Sequence, residues 1–304
     1  MNKVLVFGNV TLDVICQTID EVPRYESISF DQVALSPGGC ASNVAIGLGA
    51  LGIPTLLVCK TGDDPAADIL FSKWRKFHLD VTQVKKETEH HTAVSIGLVD
   101  HNAQPRFIHT PGANAALSFS DLDFNIFRQH DIGFFHIGGF FVLPGLLDEK
   151  LPNALSQIRQ FGVAISLDVV NTQRYWKPEF LFASLPQIDY FLCNQTEAQK
   201  LTHEEDVKTS AQIFRKAGAL NIIIKLGGNG CYLDSPEFKG IIPALKVPVV
   251  DTTGAGDAFA AGLLASLAQG ESLYEACNQA NQTGASIVQH LGAITYWENQ
   301  ASKK

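Results

Sequence analysis

Apolar residues recur along the chain in two patterns, and the alternation between them is its main structural signal. The runs Lys3–Val10, Ile132–Gly138, Val163–Val169, Tyr190–Cys193, Asn221–Leu226 and Gly230–Asp234 are short and nearly unbroken in Val, Ile, Leu and Phe. Such runs suit strands covered on both faces within a parallel sheet. Between them, Gly39–Leu51, Asp64–Phe77, Leu146–Gln160, Val207–Ala217, Gly254–Gln269 and Ser272–Val288 read as helices. Strand and helix in alternation predict a three-layer α/β/α domain with a mostly parallel central sheet. Two regions break the rhythm. Residues 14–35 and 92–110 hold strand-like segments with polar alternation (AVSIGLVD, PRFIHT) and no helix within either region. A small sheet with one wet face is expected there, projecting from a single domain of residues 1–304 as a lid.

Composition narrows the picture. The 304 residues include 46% hydrophobic and 18% charged side chains, enough to bury a large core. A net charge of −8 argues against a nucleic-acid or anionic-membrane surface. Phosphate binding within a local turn stays open. The six cysteines are scattered without a CxxC pair, which suits reduced thiols better than a disulfide frame or zinc site. The first residues enter a strand directly, and no apolar stretch is long enough to span a bilayer, so a soluble cytoplasmic protein is expected.

The densest chemistry lies in Asp251–Gly262, DTTGAGDAFAAG. An extended lead-in, Ala244–Val250, meets a glycine turn that opens an Ala-rich helix. The unpaired N–H groups and positive dipole end of such a helix make an anion site. Asp257 stands inside it, either as a first-turn acid or as a catalytic base. A second glycine turn, Gly38-Gly39, precedes a helix with Asn43 one turn in. That amide suits sugar hydroxyls or the local backbone equally. Asp13, just after the first strand, could accept hydroxyl hydrogen bonds or merely solvate a turn. Asn194 and Glu197 follow a strand at i, i+3 spacing, which fits water-mediated Mg²⁺ binding or an N-cap with a capping box. Lys225–Gly230, KLGGNG, reads as a nucleotide-approaching turn or as a β-hairpin. Gly47-x-Gly49-x-x-Gly52 matches the dinucleotide fingerprint but falls at a helix end, where glycines pack or cap. A nicotinamide dehydrogenase therefore finds little support.

Taken jointly and in order, these motifs resemble the ribokinase-like, or phosphofructokinase-B, carbohydrate kinases. The likeness runs through Gly8-x-x-x-x-Asp13, then Gly38, Gly39, Asn43 and Ala45, then Asn194-x-x-Glu197, Gly227 to Gly230 and Asp251 to Asp257. It implies an ATP-dependent kinase that phosphorylates a primary hydroxyl of a fructose- or ribose-like sugar. By that pattern Asp257 is the base, and the N–H groups of Gly254, Ala255 and Gly256 form an anion hole. Asp13, Gly38, Gly39 and Asn43 hold the sugar. Asn194 and Glu197 position Mg²⁺ through water, Lys225, Gly227 and Gly230 line the nucleotide, and Asn281 lies near the adenine. The pattern also implies K⁺ beside the anion hole at Asp251, Thr253, His290 and Gly292. One departure is Asn171, a residue late for the D-x-N motif begun by Asp168. A nucleoside kinase of the same family, with Phe107 stacking on a base, and a non-catalytic sugar- or nucleotide-binding relative are the rival readings. Exposed lid strands invite a homodimer.

Overall fold

Alternate residues of each central strand face opposite layers of helices, as unbroken apolar runs require. The computed structural model describes residues 2–101 and 105–302. The chain begins with β1 (Lys3–Gly8), β2 (Thr11–Gln17), β3 (Gln32–Gly38) and α1 (Cys40–Ala50). Next come β4 (Thr55–Val58), β5 (Lys60–Gly62), α2 (Pro65–Lys76), β6 (Lys85–Glu87), β7 (Val94–Val99) and β8 (Pro105–His109). The middle holds α3 (Ile126–Gln129), β9 (Ile132–Gly138), α4 (Leu151–Arg159), β10 (Ala164–Asp168), α5 (Pro178–Ser184), β11 (Tyr190–Asn194) and α6 (Gln195–Thr202). The rest is α7 (Val207–Lys216), β12 (Asn221–Lys225), β13 (Cys231–Asp234), β14 (Lys239–Ile242), α8 (Ala255–Ala268), α9 (Leu273–Ile287) and α10 (Thr295–Ala301).

The main sheet has eight strands in the order β14-β13-β12-β11-β10-β9-β1-β4. Strands β4 to β12 of that order are parallel, and β13 and β14 extend it antiparallel. Val4 and Val6 of β1, Leu192 of β11 and Ile223 of β12 pack in one core with α1, α2, α8, α9 and Trp297 of α10. Leu5, Phe7, Phe191, Ile222 and Ile224 face the other core, under α3 to α7. Each such large apolar side chain contributes about 1.5–3 kcal/mol when fully buried. The fold is the expected three-layer α/β/α arrangement.

The second sheet has the order β3-β2-β7-β8, with β2 and β7 parallel between two antiparallel pairs. Only Asn9 and Val10 separate β1 from β2, so this sheet rises from the C-terminal edge of the main one. Asn114 pins that crossing, accepting from the Val10 N–H at 3.0 Å and donating to its carbonyl at 2.8 Å. Register places Leu35, Val14, Ile96 and Ile108 in one row and Ala34, Ile15, Gly97 and Phe107 on the opposite face. Residues 102–104 of the 92–110 expectation lie outside the described residues.

Several elements differ from expectation. Ala244–Val250 joins no sheet, since Pro243 and Pro248 cannot donate to a ladder. Helix α4 starts at Leu151 rather than Leu146, with Pro152 in its first turn and Pro144–Leu146 forming a separate short helical turn. Among the described residues, no helix is long and apolar enough to cross a membrane.

Candidate active site

The C-terminal ends of the parallel strands, where open α/β sheets gather ligands, bring Gly8, Gly138, Asp168, Asn194 and Lys225 to one edge. Helix α8 points its N-terminus at that edge. Gly254 caps it at φ 76°, a left-handed conformation that glycine enters without strain, and an added Cβ would lie 2.5 Å from that of Ala293. Asp251 locks the turn before it. One carboxylate oxygen accepts from the Thr253 N–H at 2.9 Å and hydroxyl at 2.7 Å, and the other from the Gly292 N–H at 2.8 Å. The Ala255 N–H donates to the Thr252 carbonyl at 3.2 Å, so one of the three expected anion donors is already engaged. Among the described residues, the N–H groups of Gly254, Gly256 and Asp257 have no acceptor. Gly256 is not at positive φ. Its small size matters instead because a Cβ there would stand 3.3 Å from Lys225 Nζ.

Asp257 sits where α8 meets α1. Asn43 Nδ2 donates to Asp257 Oδ2 at 2.8 Å, while Asn43 Oδ1 is buried without a partner. Burial pushes the Asp257 carboxyl up to about 6, with the charge of Asp168 adding to it and Asn43, Lys225 and the Cys40 thiol opposing. Burial, then the charges of Asp257 and Asp168, hold the Cys40 thiol well above its ordinary range, so it stays protonated rather than nucleophilic.

Lys225 ends β12 and donates to both Asp168 oxygens, at 2.8 and 2.6 Å. Burial works against this ammonium, but Asp168 and Glu197 outweigh it and push it above its ordinary value. Both residues were visible in the sequence, but their ion pair was not, because two strands separated by β11 supply the partners. The Asn194–Glu197 pair forms the capping box. The Asn194 side chain accepts from the Glu197 N–H at 2.8 Å, and Glu197 returns the contact at 2.7 Å. Its other oxygen accepts from the Asn171 N–H at 3.1 Å, and burial raises the carboxyl to about 6. Asn171, one position late, thus docks its loop onto α6, with its side chain on Lys200 at 2.7 Å.

Two clefts flank the Asp251–Asp257 turn. One, of about 380 Å³, is lined by Lys225, Gly227, Gly230, Gly256, Asn281 and an apolar wall that includes Val249 and Phe259. Lys225–Gly230 is both the expected hairpin turn, joining β12 to β13, and part of this lining. Asn281 donates to the Ile242 carbonyl at 3.0 Å, tying the wall to α9. The other cleft, of about 280 Å³, lies under the second sheet and is lined by Asp13, Gln17, Ser36, Phe107, Thr253 and Gly292. Thr11 donates to Asp13 at 2.7 Å, and burial lifts the Asp13 carboxyl to about 6 against that bond. Gly38 makes room for it, since a Cβ at 38 would fall 2.1 Å from Asp13 Oδ2. Gly39, at φ 82°, caps α1 against the Asn9 carbonyl.

Not every expected group converges. Asp251, Thr253 and Gly292 meet, but His290, past the end of α9, turns back to that helix, 3.3 Å from the Ser286 carbonyl and against the Tyr296 ring. Among the described residues, no cluster of three or more His, Cys, Asp or Glu side chains is set to hold a metal directly. Gly47 packs on Ala261 and Gly49 on the Phe77 carbonyl, which removes the dinucleotide reading.

A half-buried carboxylate and a helix terminus with unpaired N–H groups, set at a turn between two clefts, suit a group-transfer enzyme. Residues 1–300 match the sequence profile of the pfkB family carbohydrate kinases. The chain belongs to that family, and it is a phosphotransferase that uses an alcohol as acceptor. It is 28% identical to the probable fructokinase-7 of Arabidopsis thaliana over 96% of this chain and 88% of the relative. Its fold matches a ribokinase of Thermotoga maritima with a TM-score of 0.83 at 24% identity, covering 100% of this chain and 99% of that one. The aminoimidazole riboside kinase of Salmonella enterica, solved with aminoimidazole riboside and an ATP analogue, matches with a TM-score of 0.79 at 26% identity, covering 99% of both chains.

Proposed function

We propose that the protein transfers the γ-phosphoryl group of ATP to a primary hydroxyl of a fructose- or ribose-like sugar, with Asp257 as general base. The observation that carries this reading is the Asn43–Asp257 hydrogen bond of 2.8 Å at a turn shared by two clefts, with Asn43 Oδ1 buried and unpaired. That oxygen is free to accept from a substrate hydroxyl while the amide holds the base. The sugar occupies the cleft lined by Asp13 and reaches from it to the Gly38-Gly39 turn and Asn43, and the second sheet acts as its lid. ATP occupies the cleft of Lys225, Gly227, Gly230 and Asn281, with its γ-phosphate at the turn. A relative crystallised with an ATP analogue supports the nucleotide. The setting is taken to be the cytoplasm.

In this reading the acceptor hydroxyl gives its proton to Asp257 as its oxygen bonds to the γ-phosphorus. The bond to the bridging oxygen breaks, and ADP leaves with that electron pair. The free N–H groups of Gly254, Gly256 and Asp257 receive the charge that develops on the phosphoryl oxygens. The local charge fits a hydrated divalent cation: Lys225 is spent on both oxygens of Asp168, which leaves the nearby charges of Glu197 and Asp257 unbalanced. Asn194 and Glu197 would hold Mg²⁺ through water, and the ion would neutralise phosphate charge. K⁺ would rest beside Asp251, Thr253 and Gly292 rather than on His290.

A coupled ADP-release screen over fructose, ribose, other sugars, inosine, adenosine and aminoimidazole riboside tests the proposal. Release with one of the sugars supports it. Silence with all acceptors would leave a binding protein. Phe107 in the cleft wall favours one second reading, a nucleoside acceptor whose base stacks there. Release with a riboside alone selects it.

A further inference from the structure

Lys225 lies where a cation could either assist transfer or disable it. It is the basic residue among the groups that bear on Asp257. Its side chain is 14% exposed and lines the 380 Å³ cleft. Left to itself, a four-carbon stem with a charged tip can swing toward either Asp257 or Glu197. An ammonium paired with Asp257 would neutralise the base. The contact with both oxygens of Asp168, itself 6% exposed at its side chain, fixes the tip against Gly256 instead. A buried charge pair of this kind is weak evidence for stability, so its retention calls for another role.

We propose that Asp168 is a positioning residue for phosphoryl transfer: it holds the Lys225 ammonium beside the first turn of α8, within reach of the transferring phosphoryl and off the base. The proposal rests on the kinase reading above. The titratable groups bearing on Asp257 are Cys40 of α1, Asp168 of β10 and Lys225 of β12. Glu197 of α6 bears on Lys225, and neutral His136 of β9 lies within the field of Lys225. Asp168 raises the Asp257 carboxyl and Lys225 lowers it. Removing either partner therefore moves the base in opposite directions.

The test compares Asp168→Asn, Asp168→Glu, Lys225→Met and the double variant Asp168→Asn/Lys225→Met. Asp168→Asn is expected to lower kcat by at least about tenfold, leave the acceptor KM within about twofold and move the acid limb of the pH profile to lower pH. Lys225→Met moves that limb upward, and Asp168→Glu recovers part of kcat. In the Lys225→Met background, Asp168→Asn changes the plateau kcat by less than about twofold, because Asp168 positions through the lysine and its direct effect on Asp257 moves only the limb. A purely structural pair would lower the melting temperature and leave the plateau kcat in place, although the limb would move with the lost charge. Wild-type plateau kcat in Asp168→Asn overturns the proposal. So does an equal loss on adding Asp168→Asn to Lys225→Met, a comparison that stands even where Asp168→Asn alone fails to fold. Carbon NMR titration of the Asp257 carboxyl reads the same displacement without turnover. Failure of the kinase reading would look different, as wild-type protein would release no ADP with any acceptor.

Discussion

Asp257 is held in a position that its own charge disfavours. Its folded carboxyl titrates at about 6 against an ordinary value of 3.8, so the folded state binds that proton more tightly than the unfolded chain. This group's effect on stability is therefore neutral below pH 3.8, turns unfavourable as pH rises through 6, and is fully unfavourable above that. Asp257→Asn should accordingly stabilise the protein at pH 8 by on the order of 1–2 kcal/mol, allowing for solvent screening, and hardly at all near pH 4. The same variant should lose at least about a hundredfold in turnover while binding nucleotide normally. Wild-type kcat/KM should fall below pH about 6 as the base takes up its proton. Asp13, also near 6, can make that limb steeper than one proton, and Asp13→Asn should return it to unit slope. Thermal melts and pH–rate profiles check both halves. A variant with near-normal turnover would remove Asp257 from the role of base. Asp257 and Asn43 were legible because each sits in a short local motif. Their meeting was not, since it joins two helices 214 residues apart in sequence.

At the scale of elements, the turn before α8 works because each of its glycines meets a different constraint. Gly254 needs its left-handed backbone, and Gly256 needs the absence of a side chain beside Lys225. Gly254→Ala should cost about 1–2 kcal/mol in backbone strain, with the clash against Ala293 added. Gly256→Ala meets only the flexible end of a lysine and should fold normally. Denaturant midpoints should therefore separate the two, with Gly254→Ala clearly lower and Gly256→Ala near wild type but weaker in nucleotide KM. Equal midpoints would refute the distinction. The central strands were readable from their apolar continuity, which two-sided burial imposes. Strand β14 lacks that continuity because its outer positions are exposed, whereas β4 is buried throughout but only four residues long. Ala244–Val250 looked like a strand, yet its prolines leave it as the apolar wall of a cleft.

At the scale of the molecule, the second sheet presents apolar residues on the face turned away from its cleft. Leu35 is 46% and Ile108 is 61% exposed, and register aligns them with Val14 and Ile96 across all four strands. Among the described residues, strands β3 and β8 leave both edges of that sheet unpaired. Edges and faces of this kind invite pairing with another chain, here proposed to be a second copy of the same one. A stable interface needs on the order of 1,000 Å² of total buried surface. Loop residues on the same projection, such as Val22 at 57% and Tyr25 at 87% exposure, can extend the contact beyond the sheet. Because the same strands carry Asp13, Ser36 and Phe107 on their other face, pairing would also stiffen the wall of the acceptor cleft. Sedimentation at micromolar concentration should therefore give twice the chain mass. Leu35→Glu combined with Ile108→Glu should give a folded monomer whose acceptor KM rises severalfold while nucleotide binding is unchanged. A wild-type monomer, or a double variant that still pairs, would assign this face another role.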